Sequence, residues 1–211
     1  DAEGTRAGLA VVDLVAGGGS PTSWNAGSCC FGAAARRLDD VGYVAAVVAW
    51  LRSRWGVPPA AVTVVGYSNG GMLGYRAVCE RPGLVGRLVV VEGARLVPCP
   101  ASTRRTAVLV VHGDADTTVP LAGTRWQPWL RTALPSVRAS LAALAVRDGC
   151  AAWVRRVSGA VTALTGAGCA VPVRLLVVHG LTHRWTRSAI VDETALAVRF
   201  ALGRGVGPSS G

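Results

Sequence analysis

A chain of 211 residues, 51% of them hydrophobic, can bury one good core, and it reads as a single domain over residues 1–203 with a flexible tail at 204–211. The formal charge is +10, and all 22 basic residues are arginine. They fall as singles and short pairs (Arg36-Arg37, Arg104-Arg105, Arg155-Arg156), which argues against nucleic acid as a partner, and charges or glycines break every apolar run before it could span a bilayer.

In chain order, Leu9–Val15 is the first strand candidate, followed by the glycine run Gly17-Gly18-Gly19. Asp39 and Asp40 can cap a helix that runs to about Trp55, ended by Gly56 and Pro58-Pro59. Val62–Val65 is the next strand and leads into a helix from about Asn69 to Glu80, stopped by Pro82-Gly83. Leu88–Val91 and Ala107–Val111 are further strands. A helix from about Pro135 to Arg147, a strand at Val173–Val178 and a helix from about Ala189 to Leu202 complete the pass. The strands are continuously apolar and alternate with helices, the pattern of an α/β protein whose mostly parallel sheet is covered on both faces.

Six cysteines occur at Cys29, Cys30, Cys79, Cys99, Cys150 and Cys169. None has the C-x-x-C spacing of a zinc or redox site, so disulfides in an oxidising compartment are expected. Cys150 with Cys169 is the expected pair. Adjacent Cys29 and Cys30 are expected to bond separate partners, Cys79 and Cys99.

Gly66-Tyr67-Ser68-Asn69-Gly70 contains G-x-S-x-G. The motif is weak by itself in a chain with 27 glycines, but here a β-branched run enters it and a helical segment leaves it. Such a turn lifts the serine hydroxyl above the sheet, and the backbone N–H of Asn69 can then stabilise an oxyanion. A serine needs a base. His183 lies past the last strand, before the final helix; His179, nearer the strand end, is the alternative, and His112 reads as structural. The acid is Asp114 or Asp116, both in the turn after Ala107–Val111. The order Ser…Asp…His is that of α/β-hydrolases. His112, Asp114 and Asp116 also permit a reading as metal ligands, but turn chemistry intervenes and no metal is expected.

On these residues the chain resembles the polyhydroxybutyrate depolymerase and feruloyl esterase group of secreted α/β-hydrolases. The matching stretches are Trp24-Asn25-Ala26-Gly27-Ser28-Cys29-Cys30, Asp39-Asp40-Val41-Gly42-Tyr43, Gly66 to Met72, Tyr75 to Glu80, His112 to Asp116 with Val119-Pro120, and His183-Arg184-Trp185. The resemblance implies a Ser68–His183–Asp116 triad, with Asp116 preferred over Asp114. It also implies export, no cofactor, and ester substrates that include aliphatic polyesters, aromatic polyesters and feruloyl-type esters. Tyr67, Trp24 and Trp185 are the expected substrate-binding residues, with Trp126 and Trp129 as further candidates; tryptophan supplies flat apolar area suited to such esters.

The front of the chain departs from that pattern. The family's N-terminal strands are expected to be missing, together with the His-Gly loop that supplies a second oxyanion donor; Gly18 is the alternative source. The expected result is weakened oxyanion stabilisation and a bare sheet edge open to homodimer formation. An acyltransferase on the same triad, or a catalytically dead hydrolase fold kept for binding, are the rival readings.

Overall fold

The computed structural model describes residues 2–206. Two short helices, α1 (Ala2–Arg6) and α2 (Phe31–Ala35), precede the first long one, α3 (Asp40–Trp55). The Asp39 carboxylate accepts from the Gly42 N–H and caps α3, and Gly56 ends it in the left-handed region, at φ 67°. Strand β1 (Thr63–Tyr67) then runs into α4 (Asn69–Glu80), and β2 (Arg87–Val91) and β3 (Ala107–Gly113) follow. A small antiparallel hairpin, β4 (Thr124–Gln127) and β5 (Thr132–Leu134), leads to α5 (Val137–Arg147). Next come β6 (Ala152–Ser158), β7 (Val161–Ala167), β8 (Val173–Val178) and α6 (Glu193–Ala201).

The main sheet has the order β1-β2-β3-β8-β7-β6. The first four strands are parallel, and β7 and β6 continue the sheet antiparallel. Alternation along the strands fills both faces. Leu88 and Val90 pack with Val48 of α3, Tyr75 and Val78 of α4, and Leu141 and Leu144 of α5. Val89 and Val91 turn the other way, onto Ala197 and Phe200 of α6. Double coverage explains why these strands read as unbroken apolar runs.

Several expectations are corrected. Leu9–Val15 forms no strand and pairs with none, and Val11, Val12 and Val15 are exposed. Strand β1 is therefore an edge of the sheet as described. The β6–β7 hairpin was not expected. Its outer strand is largely exposed and carries Arg155 and Arg156, so its apolar pattern is broken, as suits a charged edge.

Helix α6 starts at Glu193 rather than Ala189, because Asp192 caps it by accepting from the Ala195 N–H. Cys150 pairs with Cys169 as expected, but Cys79 pairs with Cys99 and Cys29 with its neighbour Cys30. The end of α4 and the segment after β2 already bring Cys79 and Cys99 together, with Cα atoms 4.6 Å apart, so neither is left for Cys29 or Cys30. Of the expected flexible tail, Arg204 and Gly205 are exposed and Val206 is buried against the α6 side of the sheet. Residues 207–211 lie outside the described residues.

Candidate active site

Four parallel strands end side by side, and the residues singled out in the sequence lie just beyond them, at the carboxyl edge where ligands bind in open α/β sheets. Ser68 follows β1. Its backbone sits at φ 51°, a left-handed conformation that costs a β-carbon residue about 1–3 kcal/mol. The turn is feasible because Gly66 and Gly71 pass in direct contact: a Cβ on Gly71 would lie 2.9 Å from the Gly66 carbonyl oxygen.

Ser68, His183 and Asp116 form one hydrogen-bonded line. His183 Nε2 is 2.9 Å from Ser68 Oγ, and His183 Nδ1 is 2.8 Å from Asp116 Oδ2. A carboxylate accepts, so Nδ1 carries the proton and Nε2 is left to accept from the serine hydroxyl. Asp116 is buried, and its second oxygen accepts from the N–H groups of Thr118 (2.8 Å) and Val119 (2.9 Å). Burial works against the anion, but the hydrogen-bonding groups around it, His183 and the Val119 N–H among them, outweigh it and hold the carboxyl far below its ordinary range.

The alternative acid and base take each other. His179 Nδ1 bonds Asp114 Oδ2 at 2.7 Å, His179 Nε2 lies 3.0 Å from Thr162 Oγ1, and the pair is open to solvent. The hydrogen bond from His179 lowers the Asp114 carboxyl. His112 bonds the Val119 carbonyl at 2.7 Å, the structural role expected of it.

Asn69 opens α4, so its backbone N–H has no acceptor within the helix. Its side chain is tied down: Oδ1 accepts from the Trp24 N–H at 2.6 Å, and Nδ2 donates to the Trp24 carbonyl at 3.0 Å. Trp24 thus positions Asn69 through its backbone while its ring stacks on Tyr43, and it is absent from the cleft lining. Gly18 is also placed elsewhere than expected. Its carbonyl packs so tightly on Gly32 that no Cβ would fit there, so it braces α2 from behind rather than lining the cleft.

The cleft beside Ser68 has a volume of about 430 Å³ and is lined by Phe31, Asn69, Thr117, Thr118, Gln127, Trp129, Leu130 and His183. Phe31 meets Trp129 edge-on, with ring centroids 5.5 Å apart. Tyr67 and Trp185 stand on the other side of His183: the Tyr67 ring lies 5.2 Å from His183 and 6.4 Å from Trp185, whose Nε1 donates to Thr194. Burial, then nearby Glu92, raises the Tyr67 hydroxyl. Phe31 went unnoticed in the sequence; its signal was the turn after Cys29-Cys30. Glu92 was also missed, although one acid closing the run Leu88–Val91 is conspicuous in a chain with only 12 acidic residues.

A mostly parallel sheet flanked by helices, with a serine on the strand-to-helix turn, defines the class: the α/β-hydrolase fold. Known esterases share it. The chain is similar to the esterase PE8, with a TM-score of 0.51 at 20% identity, over 82% of this chain and 61% of that one. It is also similar to the acetyl xylan esterase of Aspergillus awamori, with a TM-score of 0.50 at 15% identity, over 68% of this chain and 61% of that enzyme. In sequence it is 36% identical over 92 residues to the "Putative esterase NocK" of Nocardia uniformis subsp. tsuyamanensis, which is 42% of this chain and 26% of NocK. The chain thus spans about a quarter of NocK and under two thirds of either solved esterase. No protein-family model matches it.

Proposed function

We propose that the chain is a serine carboxylic ester hydrolase, with Ser68 as nucleophile, His183 as general base and acid, and Asp116 as the acid that orients it. The observation that carries this is the unbroken line from Ser68 Oγ through His183 to Asp116, at 2.9 and 2.8 Å. Ser68 Oγ attacks the ester carbonyl while His183 Nε2 takes its proton. The oxyanion that forms faces the N-terminus of α4, where the Asn69 N–H can donate to it. Collapse expels the alcohol, which takes the proton from His183 Nε2, and leaves an acyl group on Ser68. Water then repeats the sequence and releases the acid.

The substrate class follows from the cleft. Phe31 and Trp129 offer two aromatic faces at its rim, and Trp129 is 65% exposed, which suits an aromatic acyl group or a polyester segment better than a small acyl chain in a closed pocket. Feruloyl-type esters and polyesters are therefore the substrates we propose. Three disulfides fit an exported protein. No helix among the described residues is long and apolar enough to cross a membrane.

The test is hydrolysis of p-nitrophenyl butyrate by the parent beside Ser68→Ala, with labelling by a fluorophosphonate. The parent is expected to turn over and to label at Ser68, and the variant to do neither, because loss of a serine nucleophile costs on the order of 10⁶ in kcat. A parent that neither turns over nor labels would refute the assignment and favour a binding protein on a hydrolase frame.

A further inference from the structure

Three of the four adjacent strand ends at the carboxyl edge present Ser68, Asp116 and His183. The remaining one, β2, presents Glu92. Its side chain is fully buried and its backbone is left-handed, at φ 52°. One carboxyl oxygen, Oε1, accepts from the Gly113 N–H at 2.9 Å. The other, Oε2, is directed at the acid–base line and has no donor among the described residues. His112 Nε2 is 3.3 Å from it and 3.4 Å from Asp116 Oδ2, but its proton goes to the Val119 carbonyl at 2.7 Å, a group that can only accept.

A buried carboxyl oxygen without a donor, set against another carboxylate, is where a proton belongs. Two carboxylates in a dry site do not both ionise. Asp116 is the partner equipped to keep the charge, because it receives Thr118 N–H, Val119 N–H and His183 Nδ1–H. The titratable groups around Glu92 are Asp116 and His112 from β3 and its turn, Tyr67 from β1 and Glu193 from α6. The acids among them disfavour a second anion. Burial, followed by the hydrogen bond with Asp116, pushes the Glu92 carboxyl up to about 10. Glu92, His112 and Asp116 also converge within 4.8 Å of one another, as metal ligands do. With its proton spent on a carbonyl, however, His112 Nε2 has no lone pair to offer.

We propose that Glu92 is a protonated positioning residue whose carboxyl O–H donates to Asp116, fixing that carboxylate against His183 and moderating its pull on the imidazole proton. This rests on the Ser68–His183–Asp116 reading.

The experiment compares the parent with Glu92→Gln and Glu92→Leu by two readouts: the infrared band of a protonated carboxyl at neutral pH, and the acid limb of the kcat profile. The difference spectrum of parent minus Glu92→Gln is expected to hold a carboxylic acid band, beyond the one that buried Glu193 contributes to both proteins. Glu92→Gln, which keeps a neutral donor, should stay within about fivefold of the parent in kcat, with its acid limb in place. Glu92→Leu should lose roughly five- to a hundredfold, because a buried acceptor is left short of a donor, and its limb should move to higher pH as Asp116 pulls harder on the imidazole.

Absence of the band overturns the proposal. So does a Glu92→Gln limb displaced downward by about one pH unit or more, the signature of removing an adjacent negative charge. An active parent with a Glu92→Leu variant indistinguishable from it sinks the positioning role alone. A parent without esterase activity removes the triad reading and the positioning role with it, while the infrared band still reports where the proton lies.

Discussion

Replacing Gly66 by alanine adds one methyl group where β1 meets the turn that carries Ser68. A Cβ built there lies 2.4 Å from the C and O atoms of Gly70 and 2.5 Å from the Gly71 N. All three belong to the backbone at the start of α4, so no side chain can swing away. Ordinary contact begins at 3.4 Å, and the helix start must therefore retreat from β1 by about 1 Å. Ser68 sits between the two elements, and its 2.9 Å bond to His183 has no slack for such a move. A misplacement of about 1 Å costs on the order of 10²-fold in rate. Overpacking costs about 1–3 kcal/mol, which for a chain of this size lowers Tm by about 2–4 °C per kcal/mol.

The assay is kcat for p-nitrophenyl butyrate, the rate of fluorophosphonate labelling and Tm, measured on Gly66→Ala. Gly205→Ala serves as the control, because a Cβ there meets nothing within 4 Å and should change stability by less than about 0.5 kcal/mol. The expected outcome is a folded Gly66→Ala protein with about a hundredfold loss in both rates and a modest fall in Tm. A folded variant with the parent's rates would refute the argument that close backbone packing in this turn aims the serine.

Glu193 is fully buried, and burial pushes its carboxyl up to about 7 from 4.5, against the opposing N–H of Thr186. Between those values the folded state keeps a proton that the unfolded chain releases. The contribution is therefore whole below pH 4.5, falls as pH rises to about 7 and is then constant, with a total on the order of 3 kcal/mol. Tm should decline between pH 5 and 7 in the parent and less steeply in Glu193→Gln, where buried Glu92 still holds a proton that the unfolded chain releases; equal slopes would show that Glu193 does not contribute. Trp129→Ala should raise KM for an aromatic acyl ester about tenfold more than for a short aliphatic one, which matches a contact of about 1.4 kcal/mol. Trp185→Ala should not discriminate, because that ring packs on Tyr67 and bonds Thr194; the reverse order would move the acyl site across the base.

The helices and parallel strands were legible because each depends on a local signal. Asp39 and Gly56 bound α3 through capping chemistry, and double burial leaves the stretches Leu88–Val91 of β2 and Ala107–Val111 of β3 without a polar residue to confuse the pattern. Ser68, Asp116 and His183 could be picked out because each follows a strand in an order known for this fold. What failed depends on tertiary context. Leu9–Val15 has strand composition but no neighbour to pair with, and propensity alone makes no ladder. The pairing of Cys29 with Cys30 depends on what Cys79 and Cys99 do 49 to 70 residues away. The tryptophans illustrate the same limit: proximity to the base in sequence favoured Trp185, yet Trp129, on the hairpin after the acid turn, reaches the cleft.

Glu92 was illegible for a deeper reason, since a buried acid looks like an error until its partners are known. Its turn is packed directly on the nucleophile turn. The Ser68 N–H donates to the Val91 carbonyl at 2.8 Å, and a Cβ on Gly93 would lie 3.1 Å from the Ser68 carbonyl oxygen. Ser68 at φ 51° and Glu92 at φ 52° are thus left-handed residues on adjoining strand ends, each at a cost of about 1–3 kcal/mol. A turn at position 92 could relieve that strain with glycine or asparagine. It keeps an acid instead, with one oxygen bound to the Gly113 N–H and the other turned toward the carboxylate that holds the base. On the proposed triad, the strain at Ser68 aims the nucleophile, and by the same reasoning the strain at Glu92 aims a proton.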